Sequence, residues 1–425
     1  MLTVAAAPGC EPRLLRLAAG VESGSTYATA GGYGSLDNIE ALLEAVDGSG
    51  LLGRGGAAFP LAVKLRTVRD AHLRGHQTVV VANGEEGEPA SVKDRWLMLH
   101  RPHLVIDGLR LAARLVGADR GFIYVSDQQC ADTLDAALNE VGFDTLGGLD
   151  IGIVIVAPSY IAGEETAAVR AINGGPAKPT DKPPRPYQHG VLGHPTLVSN
   201  VETLANLPYL QHHGAGAFRS AGTAASPGTF LVTVTGAGRA PGLYEVAHGL
   251  PVTDLLELHG VSAQQVRGAL AGGYFAGLLN TSVLGATLDH KSFASLGSGL
   301  GCGAIALLTG ECPVAVAASV LAYFDRENAG QCGSCFNGTA AMAAAAGALR
   351  DGVATAEDLA RLERWSVVLR GRGACGTLDG ATNIAASLLA QFPDDVQRHL
   401  TGDCDTCRPA PLRAQRPYEV EMAGV

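Results

Sequence analysis

The chain has 425 residues and a formal net charge of −10, with 47% apolar and 17% charged residues. This length exceeds a single hydrophobic core and predicts about two to four domains. The acidic balance argues against a nucleic-acid partner, whose binding needs clustered Lys and Arg. No run reaches the roughly 18 apolar residues of a membrane helix, so no membrane span is expected.

Cysteine content and the N-terminus predict the compartment. The N-terminus has no basic segment of the kind that opens a signal peptide. The nine cysteines are an odd number without the spacing of a disulfide framework. We therefore expect a cytoplasmic protein, in which close cysteine pairs are more typical of metal or redox chemistry than of disulfides.

The first half of the chain alternates helical and strand-like patterns. Alternation of this kind is typical of a parallel α/β sheet with its sites at the carboxyl ends of the strands. The Pro-, Gly- and Lys-rich stretch 174–195 predicts an irregular loop, and loops of that length are usually functional. The predicted elements are helix 38–47, strand 78–89, helix 103–117, strand 121–126 and strand 150–158.

The second half predicts two further domains. Residues 229–249 form two strand patterns around a Gly- and Pro-containing turn, which indicates a hairpin within a small α+β domain at 227–309. The GxG in that turn precedes a strand and not a helix, which argues against a dinucleotide loop. The Ala-rich remainder indicates a helical bundle. Its predicted helices are 313–326, 334–350, 355–370 and 380–399.

A glycine-rich loop comes first among the stretches that carry chemistry. In LLGRGGAAFPLAVKL (51–65), Gly53, Gly55 and Gly56 expose backbone N–H groups ahead of a helix that starts near Pro60. Such an arrangement suits an anion such as phosphate, to which Arg54 and Lys64 would add charge. Taken alone, this loop is equally consistent with a glycine turn packed under a helix.

Acidic residues follow two of the predicted strands. NGEEGEP (83–89) and AGEETA (162–167) each place glutamates after Gly at a strand end, and VSNVETL (198–204) opens a helix with Asn and Thr. Carboxylates at such positions can bind ribose hydroxyls or a carboxamide. Each motif alone is usually a solvated turn, but their recurrence at neighbouring strand ends favours a shared nucleotide pocket.

In this order and spacing the motifs resemble one family, the NADH-binding flavoprotein subunit of respiratory complex I with its relatives in NAD-linked hydrogenases and formate dehydrogenases. The family patterns GRGGAGFPTGxKW, NADEGEPGTFKDR, CGEETAL, KPPFP and PTTVNNVETL stand here as GRGGAAFPLAVKL, NGEEGEPASVKDR, AGEETAA, KPPRP and PTLVSNVETL. The resemblance covers nearly the whole chain. It implies a Rossmann-like parallel sheet domain, a β-grasp (ubiquitin-like) domain and a C-terminal helical bundle.

The resemblance also implies cofactors and roles for individual residues. FMN would lie at the glycine loop and strand ends, with NADH on the flavin and electrons passing singly to an iron–sulfur centre. Glu88 and Glu165 would take part in catalysis and touch NADH, together with Phe59 and Lys64. The residues implied to line the FMN and phosphate region are Gly53, Arg54, Gly55, Gly56, Lys64, Asn83, Glu85, Gly163, Glu164, Asn200 and Thr203.

Several positions depart from the family patterns. Ala58 replaces a Gly, Glu85 an Asp and Ser199 an Asn, while Arg185 replaces the Phe of KPPFP that resembles an adenine-stacking platform. Arg185 could stack on adenine through its guanidinium plane or bind the 2′-phosphate of NADPH. Three alternatives stay open: NADH, NADPH or another donor, and no oxidation of nicotinamide.

The cysteines of the C-terminal part resemble the cluster ligands of the family. The family pattern is C-x2-C-x2-C with a fourth Cys about 40 residues later, which suits a [4Fe–4S] cube. Here Cys332, Cys335 and Cys375 match three of the four, and Ala329 stands at the first position. A [4Fe–4S] or [3Fe–4S] cluster with an incomplete ligand set, and loss of the cluster, are both open. Cys404 and Cys407 form a second C-x2-C pair that could bind metal or cycle as a dithiol.

The predicted domains are therefore 1–48, an N-terminal helical segment; 49–222, the FMN and nucleotide domain; 223–310, the β-grasp domain; and 311–425, the helical bundle with the cysteines. The expected function is an NAD(P)H dehydrogenase-type flavoprotein, complex I-like, that feeds a ferredoxin or another electron-transfer subunit. The alternative is a catalytically silent assembly subunit of an electron-transfer complex.

Overall fold

The computed structural model describes residues 2–16, 18, 20–407 and 409–422, which form ten strands, sixteen α-helices and three short 3-10 turns. The strands are β1 (Thr3–Ala6), β2 (Val79–Asn83), β3 (Arg120–Val125), β4 (Asp150–Ile155), β5 (Thr196–Asn200), β6 (Thr229–Gly236), β7 (Gly242–Ala247), β8 (Gly268–Ala271), β9 (Leu278–Asn280) and β10 (Ala304–Leu308). The α-helices are α1 (Gly24–Thr29), α2 (Ile39–Ser49), α3 (Leu61–Leu73), α4 (Lys93–His100), α5 (Pro102–Val116), α6 (Gln128–Glu140), α7 (Glu165–Ile172), α8 (Val201–Ala205), α9 (Leu207–Arg219), α10 (Val252–His259), α11 (His290–Ser295), α12 (Pro313–Glu327), α13 (Gly333–Arg350), α14 (Ala356–Val368), α15 (Thr377–Gln391) and α16 (Pro393–Thr401).

The predicted parallel sheet is confirmed, with the strand order β4-β3-β2-β5 and every neighbouring pair parallel. Its central strand β2 is apolar on both faces: Val80 and Ala82 join the core on one face, and Val79 and Val81 the core on the other. A strand buried on both sides is an unbroken apolar run in the sequence, which is why its pattern was clear. At the carboxyl edge Asn83 of β2 pairs in register with Asn200 of β5.

The second sheet is mixed, with the order β1-β7-β6-β10-β8-β9, and contains the predicted hairpin as β6 and β7. Its edge strand β1 comes from the N-terminus and runs parallel to β7. The prediction of a helical segment over 1–48 therefore missed strand β1. Four residues of a short edge strand carry too little periodicity to be recognised, and only the pairing with β7 defines them.

The helical bundle is confirmed, with one difference. The predicted helix 380–399 is two helices, α15 and α16, because Pro393 has no N–H and restricts the residue before it. After α16 the chain returns to the domain of the parallel sheet, where Val420 donates its N–H to the carbonyl of Pro89 at 2.9 Å. Among the described residues, none of the helices combines the length and the apolarity needed to cross a membrane.

Candidate flavin and iron–sulfur site

The glycine loop lies over the start of α8. The N–H of Gly53 donates to the carbonyl of Phe59 at 2.9 Å and closes the loop, and the N–H of Arg54 donates to Thr203 Oγ1 at 2.8 Å. The guanidinium of Arg54 is buried, 2.7 Å from His248 Nε2 and 3.1 Å from the carbonyl of Thr229. Arg54 therefore joins the loop to the second sheet. Because its guanidinium is occupied there, the loop can bind a ligand only through its backbone.

The Glu85 carboxyl is buried at the strand ends, beside Gly163. Its Oε1 accepts a hydrogen bond from Ser126 at 3.4 Å, while Oε2 is buried with no hydrogen-bond partner among the described residues. Burial raises the pKa of this carboxyl to about 8. A Cβ added to Gly163 would lie 2.6 Å from Oε2, so only glycine leaves this space open. An orphaned acceptor beside a glycine cradle fits a ligand that donates hydrogen bonds, as a flavin ring does.

This arrangement predicts an unusual pH dependence in the flavin-free protein. Burial raises the pKa of Glu85 to about 8 and that of Glu88 to about 7, both from 4.5. At a pH between the ordinary and the raised pKa, the folded state keeps protons that the unfolded state releases. The free energy of unfolding therefore falls as the pH rises through this range. The total fall is about 1.4 kcal/mol for each unit of pKa shift. Urea denaturation at about pH 5.5 and about pH 8.5 measures this, and Glu85→Gln should reduce the slope. An equal slope in wild type and variant would contradict it.

Ala58, which departs from the family pattern, has φ +50°. A residue with a Cβ in this left-handed region costs about 1–2 kcal/mol. We expect Ala58→Gly to raise the free energy of unfolding by up to about 1 kcal/mol, because glycine removes the strain at some entropic cost. Thermal unfolding measures the effect. The neighbouring exposed Ala57, whose φ is not positive, is the matched control, since Ala57→Gly should be neutral or destabilising.

Glu164 and Glu165, adjacent in the chain, have different surroundings. Glu164 caps α7 by accepting from the N–H of Thr166 at 2.8 Å, and its other oxygen lies 2.6 Å from Lys182 Nζ. Glu165 is partly exposed and lies between two cations, 3.6 Å from Lys64 Nζ and 3.7 Å from an Arg185 nitrogen. The structure thus brings Lys64 and Glu165 together on an accessible face, to which exposed Phe59 is close in the chain.

Glu88 is placed differently from Glu165. Its carboxylate accepts from the backbone N–H groups of Tyr274 at 2.9 Å and Ala90 at 3.3 Å, which connects the nucleotide domain to the turn between β8 and β9. Among the described residues, no hydrogen bond or ion pair connects Glu88 to the Lys64–Glu165 pair. Its raised pKa follows from burial, which these two hydrogen bonds only partly offset.

A buried charge cluster underlies the strand ends. Lys93 Nζ lies 2.7 Å from Asp94 and 3.0 Å from Glu202, and Asn200 donates through Nδ2 to Asp94 at 2.7 Å. Asn200 also caps α8 through Oδ1, and Asn83 donates to the carbonyl of Gly163 at 2.8 Å. Burial raises the pKa of Asp94 to about 7, against the effect of Lys93. These contacts hold the strand ends in place.

The cysteine run stands at the start of α13. Cys332 precedes the helix, Cys335 is in its first turn, and the N–H of Ala374 donates to Cys332 Sγ at 3.5 Å, which brings the Cys375 turn alongside. Burial raises the pKa of Cys335 to about 12, and the nearby Cys375 and Cys332 add to the rise. The three predicted ligands thus converge.

The run is in contact with the nucleotide domain. Lys178 Nζ donates to the carbonyl of Ala329 at 2.9 Å, and Gln331 Nε2 donates to that of Pro179 at 2.7 Å. Tyr160, just past β4, donates its N–H to Glu327 at the end of α12 at 3.1 Å. The predicted irregular loop 174–195 therefore packs against the cysteine run and connects the two candidate sites.

Some residues of the site were not singled out in the sequence. Lys93 and Asp94 stand within the quoted NGEEGEPASVKDR motif and Lys182 within KPPRP, so the signal was present for these three. Ser126 and Tyr160 carry no local signal, because only the packing of β3 and of the segment after β4 brings them to Glu85 and to α12.

Two family models match this chain. Residues 46–209 match the Nuo51 FMN-binding domain, and residues 315–399 match the NADH-ubiquinone oxidoreductase-F iron-sulfur binding region. One NADH-quinone oxidoreductase F subunit of Rhizobium meliloti is 32% identical over 397 residues, covering 88% of this chain and 94% of that protein. The HndC subunit of the NADP-reducing hydrogenase of Solidesulfovibrio fructosivorans is 29% identical, with 95% and 85% covered.

A solved structure agrees with these matches. A chain in the crystal structure of an NAD+-reducing [NiFe]-hydrogenase in the H2-reduced state is similar with a TM-score of 0.78 and 31% identity, covering 86% of this chain. This chain spans 63% of the length of the hydrogenase chain. The chain thus belongs to the family of NAD(P)H dehydrogenase-type flavoproteins that includes the F subunits of NADH-quinone oxidoreductases and flavoprotein subunits of NAD-linked hydrogenases, with an FMN-binding domain and an iron–sulfur binding region.

Proposed function

We propose that this chain binds FMN at the carboxyl edge of the parallel sheet, oxidises a nicotinamide nucleotide there, and passes electrons through a cluster held by Cys332, Cys335 and Cys375. The observation that carries the proposal is the orphaned Glu85 Oε2 beside the Gly163 cradle, at the strand ends within the matched FMN-binding domain. Bound FMN supplies the chemistry of accepting a hydride and releasing electrons one at a time.

The residues around the proposed flavin divide into binding and positioning groups. The backbone N–H groups of Gly55 and Gly56 bind the phosphate end, and Glu85 accepts a hydrogen bond from the ring. The N–H of Gly53, predicted to face the phosphate, instead closes the loop onto the Phe59 carbonyl. Asn83, Glu164, Asn200 and Thr203 position the strand ends and helix starts, since their side chains make the hydrogen bonds described above. Arg54 orients the glycine loop through the contact between its guanidinium and His248, which follows β7 of the second sheet.

The nicotinamide nucleotide is proposed to bind over Phe59, Lys64 and Glu165. Lys64 and Arg185 flank the Glu165 carboxylate, so the face presents two cations to the phosphates of a dinucleotide. Glu88, whose raised pKa lies near neutrality, is proposed to hold a proton at its carboxyl on the side of the domain that contacts the turn between β8 and β9. The proposed domain division is that of the sequence prediction, with β1 added to the β-grasp part.

Anaerobic titration of the purified protein tests the proposal. NADH or NADPH should bleach the flavin absorbance of the wild type. Arg185→Phe should favour NADH over NADPH by about tenfold, because it restores an aromatic surface and removes a cation for a 2′-phosphate. Bleaching with neither nucleotide, in protein that contains flavin, would contradict dehydrogenase activity and favour the silent-subunit alternative. Colourless protein that takes up no added FMN would contradict the flavin site itself.

The electron acceptor is proposed to be a ferredoxin-type protein or another subunit of a complex. Relatives named above are subunits of larger enzymes. Exposed Phe336 follows Cys335 directly, and exposed Phe275 lies 3.0 Å from where a Cβ on Gly376 would be, next to Cys375. We place the acceptor on this face, and crosslinks from it to a reducible acceptor would support the placement, whereas crosslinks confined to the β1 edge would refute it.

A further inference from the structure

A second group of metal-ligating side chains lies at the opposite end of α12 from the cysteine run. Its members are Cys312, His399, Cys404 and Cys407, and one ligand atom of each lies within 4.8 Å of every other. All four are buried. They come from three segments: the residue before α12, the end of α16, and the turn that follows α16.

The distances suit one mononuclear ion. Cys404 Sγ lies 3.9 Å from Cys312 Sγ, and Cys312 Sγ lies 3.1 Å from His399 Nε2. A tetrahedral zinc ion with Zn–S bonds of about 2.3 Å and Zn–N bonds of about 2.0 Å keeps its ligand atoms about 3.5–3.8 Å apart. An iron–sulfur cube needs wider spacing, because each thiolate binds a different iron.

The surroundings orient the ligands. His399 Nδ1 lies 3.0 Å from the carbonyl of Leu349, which places the proton on Nδ1 and leaves the lone pair of Nε2 facing the sulfurs. Cys312 is the N-cap residue of α12, so its side chain lies at the positive end of the helix dipole, where an anionic ligand is favoured.

We propose that Cys312, His399, Cys404 and Cys407 bind one structural zinc ion, separate from the iron–sulfur site. Three thiolates and one imidazole are a typical zinc ligand set, and four protein ligands leave no open position for catalysis. The ion fixes the turn 402–407 to the start of α12. It thereby anchors the tail that returns to Pro89 beside the proposed flavin pocket.

This assignment makes Cys404 and Cys407 metal ligands and not a redox dithiol. α12 has 15 residues and is about 22 Å long, so Cys404 and Cys407, at its start, cannot reach the run at its end as cluster ligands. The zinc site and the cluster site share no residue. Their metal contents can therefore be changed one at a time.

Metal analysis of the untagged, full-length protein, purified anaerobically, tests the proposal. We expect one zinc per chain, bound through three sulfurs and one nitrogen in X-ray absorption at the zinc edge. Cys404→Ser and Cys407→Ser should each lower the zinc content at least about tenfold and leave iron and FMN unchanged. Cys130→Ser, which removes another buried cysteine, should keep the zinc. His399→Cys should retain the ion in a four-sulfur site.

Three results would overturn the proposal. The first is wild-type protein without zinc, including protein with a Cys404–Cys407 disulfide in its place. The second is zinc that persists at full occupancy in both serine variants. The third is iron, and not zinc, that is lost with Cys404. The X-ray absorption measurement needs only the wild type, so a variant that fails to fold leaves the proposal open to refutation.

Discussion

Gly163→Ala is expected to yield protein that folds but binds FMN about 10- to 100-fold more weakly, because filling a tight space costs about 1–3 kcal/mol. The added Cβ would lie 2.6 Å from Glu85 Oε2 and 3.4 Å from the Glu85 carbonyl, and would displace the carboxyl proposed to accept from the flavin. Flavin content after purification and titration of the flavin-free protein with FMN measure the loss.

Gly142→Ala is the matched control. A Cβ at Gly142 meets no atom within 4 Å, and its φ is not positive, so this variant should bind FMN as the wild type does. Normal FMN affinity in Gly163→Ala would mean that the space beside Glu85 is not part of the flavin site. Circular dichroism of both variants separates weak FMN binding from misfolding.

Cys335→Ser is expected to remove the cluster and disconnect the acceptor. Reduction of the flavin by nucleotide should continue, while reduction of a one-electron acceptor protein falls at least about 100-fold, a barrier increase of about 2.7 kcal/mol. Cys335 is the most buried of the three converging cysteines, and the hydroxyl of Ser is a poor ligand for iron. Iron and sulfide analysis, with both activities measured on one preparation, tests this expectation.

Two further variants make the cluster experiment specific. Cys130→Ser removes a buried cysteine on α6 and should change neither activity. Ala329→Cys completes the C-x2-C-x2-C run and should raise iron retention, since the Lys178 contact uses the backbone carbonyl of Ala329 and survives the change. Unaltered iron content in Cys335→Ser, or no iron in the wild type, would contradict the proposed ligand set.

The two candidate centres are connected through α12 and the loops at its end. Tyr323 on α12 donates to the carbonyl of Gly87 at 3.2 Å, and Glu327 accepts from Tyr160. Burial raises the pKa of the Tyr160 phenol well above its usual value, and the charges of Glu88 and two cysteines, Cys302 and Cys375, add to the rise. Tyr160 thus lies between the Glu88 side of the nucleotide domain and the Cys375 turn.

The sequence by itself determined the family, the parallel sheet and the cofactor motifs. Each of these depends on contiguous residues: an unbroken apolar run for β2, glycines before a helix start, and Gly-Glu pairs after strands. Short-range patterns of this kind reflect local backbone geometry and the chemistry carried on it, so they can be recognised before the fold is known.

Only the tertiary structure decided which of these side chains meet. It turned the Arg54 guanidinium inward to His248, left Glu85 Oε2 without a partner among the described residues, and paired β1 with β7. It also joined Cys312 to His399 and Cys404, which are 87 and 92 positions away in the chain. No local periodicity encodes such distances, because the packing of α16 against α12 and α13 sets them, and that packing depends on the whole core.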